Sequence, residues 1–303
     1  MVATSSGETI KAVFAIIVSV FALSLGDAVI KATSLSLPLW QMYILRSALT
    51  LPPLLLIAIK RGRGAHSLRV SGWSVLRSFL LVVMWLSYYV SLPLVPLSLA
   101  AAVYYTSPIF ILMITAILAH RLPSVRACLA IACGFLGVVL VIRPDATGFD
   151  FAALLPVLSA FLYACAMVLT SAKCRDDDPF VLAIVLNVTF IVFGAGLGLF
   201  SGEEGAFLLG PWQTIDLSLI ITVAVLAALI LIGSVGAAIA YQRGAPATVA
   251  AFDYSYLLFS TVWGVAWFGE WPGPFTYLGF VLIIGAGLLA IKRQKANVAA
   301  LAK

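Results

Sequence analysis

Apolar residues in this chain do not alternate with polar ones. They run in stretches of about 20, broken by short segments that hold charges, Gly and Pro. Ten such runs can be marked, at about 12–31, 38–59, 70–91, 97–119, 124–142, 151–172, 180–200, 217–240, 247–268 and 274–291. A bilayer core takes about 20 apolar residues as a helix. A membrane strand would show alternation over about ten residues, which is absent here. The pattern therefore predicts ten transmembrane helices. The longest connection, Ser201 to Asp216, is too short for an extramembrane domain. The first run lacks a small-x-small cleavage site and reads as a retained helix.

Composition sharpens this picture. Hydrophobic residues make up 63% of the 303 residues and charged residues 10%. So few charges cannot cover a soluble globule of this size, which excludes a soluble enzyme, a nucleic-acid binder and a disordered protein. The net charge of +6 reflects topology. With the N-terminus placed in the cytoplasm, 14 of the 18 Lys and Arg fall on the cytoplasmic side. Only Lys31 and Arg143 fall outside, and Arg46 and Arg77 lie within helices. That split puts both termini of a multi-pass protein in the cytoplasm; a bacterial inner membrane is the expected location. The four cysteines have no CxxC spacing, so neither a disulfide framework nor a metal site is expected.

The chain also repeats itself. A shift of 150 residues brings Pro96 onto Pro246, Ala100-Ala101 onto Ala250-Ala251, Tyr104 onto Tyr254, Gly137 onto Gly287 and Arg143 onto Arg293. Shifts of 142 and 141 bring Lys31 onto Lys173 and Pro38 onto Pro179. The halves are then 1–145 and 146–303, each of five helices. An odd number makes the second half enter the membrane the opposite way round. The expected fold is thus an all-α integral membrane protein of two inverted five-helix repeats around a central cavity. Its two halves can exchange shapes, which is the basis of alternating access.

The stretch AFDYSYLLFSTVWGVAWFGEWPGPFTYLGFVLIIGAGLLAIKR, Ala251 to Arg293, carries a Gly-Glu-x-Pro turn at Gly269, Glu270 and Pro272. It resembles the ninth and tenth helices of the drug/metabolite transporter superfamily, in its EamA-type branch. The first-half counterpart runs from Ser107-Pro108 through Leu136-Gly137-Val138 to Arg143-Pro144. There the usual acidic turn is replaced by Ala119-His120-Arg121-Leu122-Pro123. The resemblance covers nearly the whole chain. It implies a helical basket with a central cavity and export of amino acids or similar metabolites.

Charges inside a bilayer are expensive, so Asp27, Arg46, Arg77 and Asp253 come first as candidates. Asp27 lies one turn from Lys31, and Arg46 is placed to pair with it; the choice between a structural pair and a gate stays open. Asp253 is a candidate for a wet cavity or a coupling proton. Arg77 is close enough to a helix end to snorkel. Glu270 reads as an outer helix-terminus residue. On the ninth run Asp253, Tyr256, Ser260, Trp263 and Trp267 share a face. The sixth run has a face of Pro156, Ser159, Tyr163, Met167 and Thr170, and the third offers Ser78, Trp85, Tyr88 and Tyr89. Pro108 has no N–H for the carbonyl of Tyr104 and should kink the fourth helix. Substrate-lining candidates are therefore Trp85, Tyr88, Tyr104, Tyr163, Tyr256, Ser260 and Trp263. Trp40 and Trp271 read as interface anchors. Gly194, Gly196, Gly198, Gly233 and Gly236 suit close helix packing.

No HExxH, GxSxG or P-loop occurs, and both histidines, His66 and His120, sit at segment edges. No catalytic set, cofactor or metal is expected, and a membrane enzyme or receptor is disfavoured. The expected function is secondary transport of a small-molecule substrate in a lipid bilayer, with amino acids first. Drugs, nucleosides and other solutes are the alternatives.

Overall fold

The structure is a computed structural model. It describes residues 6–34, 37–60, 70–118, 125–142, 151–174, 177, 179–200, 202, 206–243 and 252–286. Helices account for nearly all of them: α1 Ser6–Thr33, α2 Leu39–Lys60, α3 Gly72–Ser91, α4 Leu97–Tyr104, α5 Ser107–Leu118, α6 Val125–Ile142, α7 Leu155–Lys173, α8 Pro179–Gly198, α9 Leu217–Arg243 and α10 Ser255–Phe268. A last helix, α11, spans Pro274–Ala286. Every expected span overlaps a helix. The start of the ninth span, the end of the tenth and the Ala119–Pro123 turn lie outside the described residues.

Five stretches are long and apolar enough to cross a membrane: Ile10–Thr33, Gly72–Ser91, Leu97–Leu118, Phe151–Thr170 and Phe180–Gly198. Shorter apolar stretches lie in α6, α9, α10 and α11. At about 1.5 Å per residue, the 22 residues of α2 also reach across a core of about 30 Å. The outer faces of these helices are greasy: Phe14, Val192, Leu258 and Val281 are all at least 66% exposed. The interior instead collects polar groups, including Asp27, Arg46 and many serines. This inside-out pattern fits a bundle whose outer solvent is lipid.

Local chemistry sets the helix ends. Ser71 caps α3 by accepting from the Ser74 amide at 3.1 Å, and Asp216 caps α9 by accepting from the Leu219 amide at 2.7 Å. Gly269, at φ 65°, closes α10. The Glu270 amide reaches back to the Gly264 carbonyl at 3.0 Å, a bond that needs the left-handed turn which Gly adopts freely.

The fourth span differs from expectation in degree. Pro108 does not merely bend it; the helix stops at Tyr104 and restarts at Ser107. Pro108 has no N–H to give to the Tyr104 carbonyl, and the helical bonding lapses between the two residues. The Thr106 hydroxyl donates to the Val103 carbonyl at 2.7 Å. The ninth span is interrupted in the same way at Tyr254, between a helical Phe252–Asp253 and α10. There the Ser255 hydroxyl donates to the Phe252 carbonyl at 2.6 Å. The shift that aligns Tyr104 with Tyr254 therefore also aligns two broken helices.

Packing follows the repeat. Among the described residues, the principal pairs are first span with eighth and third with sixth; second with seventh; first with ninth and fourth with sixth; third with seventh and second with eighth; and fourth with ninth. Exchange every span for the one five places along, and this set maps onto itself. Small residues permit the closest crossings. A Cβ on Gly279 of α11 would lie 2.7 Å from the Gly137 carbonyl of α6. One on Gly194 would lie 2.8 Å from the Trp40 carbonyl, and one on Gly233 2.6 Å from the Leu23 side chain. Gly198 and Gly236 are similarly tight, but Gly196 has nothing within 4 Å and plays no such part.

Candidate functional site

The two broken helices face each other through tyrosines. Tyr105, at the end of α4, packs its ring 5.4 Å from Tyr254 and 5.3 Å from Tyr256, centroid to centroid. Its hydroxyl lies 3.3 Å from both the backbone oxygen and Oδ1 of Asp253. Tyr104 packs 5.4 Å from Tyr88 of α3 and 5.5 Å from Tyr163 of α7. Tyr88 in turn lies 6.1 Å from Trp85, and Trp85 stacks on Tyr89 at 5.0 Å. Trp85, Tyr88, Tyr104 and Tyr163 thus form one contiguous aromatic surface drawn from α3, α4 and α7.

Tyr256 joins this surface through its hydroxyl, 3.2 Å from that of Tyr88. The same hydroxyl donates a short hydrogen bond to the carboxylate of Asp27, which is 4% exposed. Tyr88 stands behind Tyr256 in this chain of hydroxyls, so Asp27 is tied directly to α10 and through it to α3. The charge-assisted bond is worth about 1.5–3 kcal/mol, which offsets part of the cost of a buried carboxylate.

The expected pairings of Asp27 need correction. Arg46 makes no ion pair with it. The guanidinium lies instead over the rings of Phe190, at 4.6 Å, and Tyr43, at 5.7 Å. Lys31 turns to the end of the bundle remote from Ser6. There it donates to the Val95 carbonyl at 2.7 Å and forms a short ion pair with Glu270. The other Glu270 oxygen accepts from the Leu97 amide at 2.8 Å, at the first turn of α4. The Lys31 ammonium also lies 5.1 Å from the Phe268 ring. Glu270 is thus more than a helix-terminus residue. It ties α1, α4 and α10 together, and the Gly269 turn aims it. Gly264 leaves the room, since a Cβ there would approach the carboxylate to 3.3 Å.

Other placements also depart from expectation. Ser260 is fully buried and donates to the Leu257 carbonyl of its own helix at 3.1 Å. Trp263 donates to Ser24 of α1 at 3.1 Å and packs against Phe21, outside the chain of rings. Trp267, on the same expected stripe, is 48% exposed. Arg77 does not snorkel: its Nε donates to Thr170 of α7 at 2.8 Å, and one terminal nitrogen is buried without a partner. Trp40 is buried and donates to the Gly210 carbonyl at 2.9 Å, whereas Trp271 is 78% exposed. Sequence reasoning misses Tyr43 and Tyr254, which belong to the cluster. Tyr254 carries a usable signal, because it is the repeat partner of Tyr104; Tyr43 carries none beyond sharing a helix face with Arg46. Among the described residues no group of three or more His, Cys, Asp or Glu is placed to hold a metal.

Broken helices at equivalent places in the chain meet at buried polar groups inside a lipid-facing bundle, an arrangement that suits a transport site. Residues 10–143 match the model of the EamA-like transporter family. A riboflavin transporter of Rhizobium johnstonii is 29% identical over 201 residues, 66% of this chain and 63% of that protein's length. A riboflavin transporter of Brucella anthropi is 26% identical over 267 residues, 86% of this chain and 89% of that one. The pseudopaline exporter CntI of Pseudomonas aeruginosa is 25% identical over 279 residues, 91% and 93% of the two chains. A solved crystal structure shares the fold with a TM-score of 0.60 at 19% identity, covering 94% of this chain and 96% of its own.

Proposed function

We propose that this protein is a secondary carrier of small organic metabolites. It works by alternating access between the halves 1–145 and 146–303, in a bacterial inner membrane with both termini cytoplasmic. The Lys31–Glu270 end of the bundle is then the outer end. The observation that carries this reading is the buried Asp27–Tyr256–Tyr88 group where the two interrupted helices meet. A site at that junction is reached from either side when one half tilts against the other.

Amino acids are the first substrate class, moved outward. A buried carboxylate and a buried guanidinium flanking aromatic walls suit a zwitterion with an apolar side chain. Riboflavin is the second. Three relatives bear the name riboflavin transporter, and the stacked Trp85–Tyr89 pair offers flat faces to a planar ring system. The test is purified protein in liposomes, assayed against labelled amino acids and nucleosides and against riboflavin, with protein-free liposomes as control. Saturable uptake of one class supports the carrier. No uptake of any compound above the control would overturn it.

A further inference from the structure

We propose that Arg46 takes the carboxylate of the transported solute. This rests on the carrier reading above and names the chemistry of that site. Arg46 is 3% exposed, and no carboxylate among the described residues pairs with it. A buried cation without an anion is costly in a low-dielectric interior. The buried carboxylate of Asp27 is already held by the Tyr256 hydroxyl. The cluster thus has a hydrogen-bonded negative pole and a positive pole with no carboxylate of its own among the described residues.

The surroundings of Arg46 point the same way. Tyr43 lies one turn before Arg46 on the same face of α2, Ser47 is the next residue along the helix, and both are fully buried. Their hydroxyls have no hydrogen-bond partner. Two idle hydroxyls beside an uncompensated guanidinium are the donor set for a carboxylate. Phe190 and Tyr43 hold the guanidinium by its face, which leaves its edge N–H groups for a bidentate bond. Tyr89, whose ring lies 6.3 Å from that of Tyr43, stacks on Trp85, so the body of a solute anchored at Arg46 extends along the aromatic wall. The ligand class is a small carboxylate with an apolar or aromatic body, and its ammonium group is optional.

The experiment uses the full-length protein in liposomes with labelled L-phenylalanine. The competitors are 3-phenylpropionate, which keeps only the carboxylate, L-phenylalaninamide, which keeps only the ammonium, and riboflavin. We expect 3-phenylpropionate to compete at least tenfold better than the amide. Arg46→Gln should erase that preference, and Arg46→Lys should restore part of it. A mere loss of folding lowers all activity together and leaves the preference intact, so the ratio reads recognition and not stability. The proposal is overturned if the amide competes as well as the acid. It is equally overturned if Arg46→Gln keeps the parental ratio, or if riboflavin is carried while neither phenyl compound competes. Failure to transport any probe overturns the carrier reading itself.

Discussion

Replacing Glu270 by Gln keeps the shape of the Lys31 clamp and removes its charge. The side chains of the pair are 9% and 18% exposed, between the surface and buried limits. An exposed pair is worth about 0–1 kcal/mol, and breaking a buried one costs about 3–5 kcal/mol. About 2 kcal/mol is therefore at stake. The Gln oxygen still accepts from the Leu97 amide, so α4 keeps its anchor. The clamp joins α1 and the start of α4 to the turn after α10, which lie in different halves of the repeat. Its loss should favour separation of the halves at that end by about thirtyfold. A cysteine introduced at position 91 reads this out. Ser91 ends α3 and is fully buried, donating to the Tyr88 carbonyl at 2.6 Å. In detergent-purified protein whose native cysteines are replaced by serine, Ser91→Cys should react with a hydrophilic maleimide more than tenfold faster when Glu270→Gln is added. The exchange Lys31→Glu with Glu270→Lys restores the pair but not the acceptor for Leu97, so it should slow labelling only partly. An unchanged labelling rate at position 91 in well-folded Glu270→Gln protein would refute the idea that this clamp governs opening.

Five further outcomes are expected. Tyr256→Phe removes one hydroxyl from Asp27 and should cost about 1.5–3 kcal/mol, read as a lower Tm in detergent together with slower uptake. Gly279→Ala places a Cβ 2.7 Å from the Gly137 carbonyl, and the overpacking should cost about 1–3 kcal/mol in thermal unfolding. Tyr163→Ala, with the fold intact, should weaken substrate binding by roughly threefold to thirtyfold in transport KM, and parental KM for every substrate would move the site elsewhere. Uptake should continue without an imposed proton gradient, and Ala206→Cys should be labelled from outside intact cells before permeabilisation.

Hydropathy alone made the helices legible, because a bilayer demands long apolar runs and tolerates little else. The aromatic wall was legible too, since Trp85, Tyr88, Tyr104 and Tyr163 stood out as polar-tipped rings at membrane depth. Side-chain direction was not. Asp27 and Arg46 looked like a pair because opposite charges at matching depth invite pairing, yet a tyrosine hydroxyl holds one and two aromatic rings hold the other. Sequence spacing fixes which face a residue occupies on its own helix, but not which neighbour that face meets. Glu270 shows the same limit. Its Gly-Glu-x-Pro setting marked a turn, while its partners Lys31, Val95 and Leu97 come from elements brought close only by the fold.

The repeat adds a constraint that neither half shows alone. Matching breaks at Tyr105–Thr106 and Tyr254, each with a hydroxyl returning to the carbonyl three residues earlier, give the two halves the same mechanical joint. On the proposed alternating-access mechanism, a bundle of two such halves has two related shapes, open at one end or at the other. If the halves were identical, those shapes would have equal energy in a symmetric environment. The residues that break the identity therefore set the resting balance. Glu270 in the second half faces His120 in the first under the same 150-residue shift, and Lys31 has Lys173 as its counterpart. An acid and a base can latch one end, whereas a histidine and a lysine cannot form the equivalent ion pair. On that proposed mechanism the clamp at Glu270 acts on a balance that the repeat leaves nearly level, where about 2 kcal/mol is enough to decide which shape dominates.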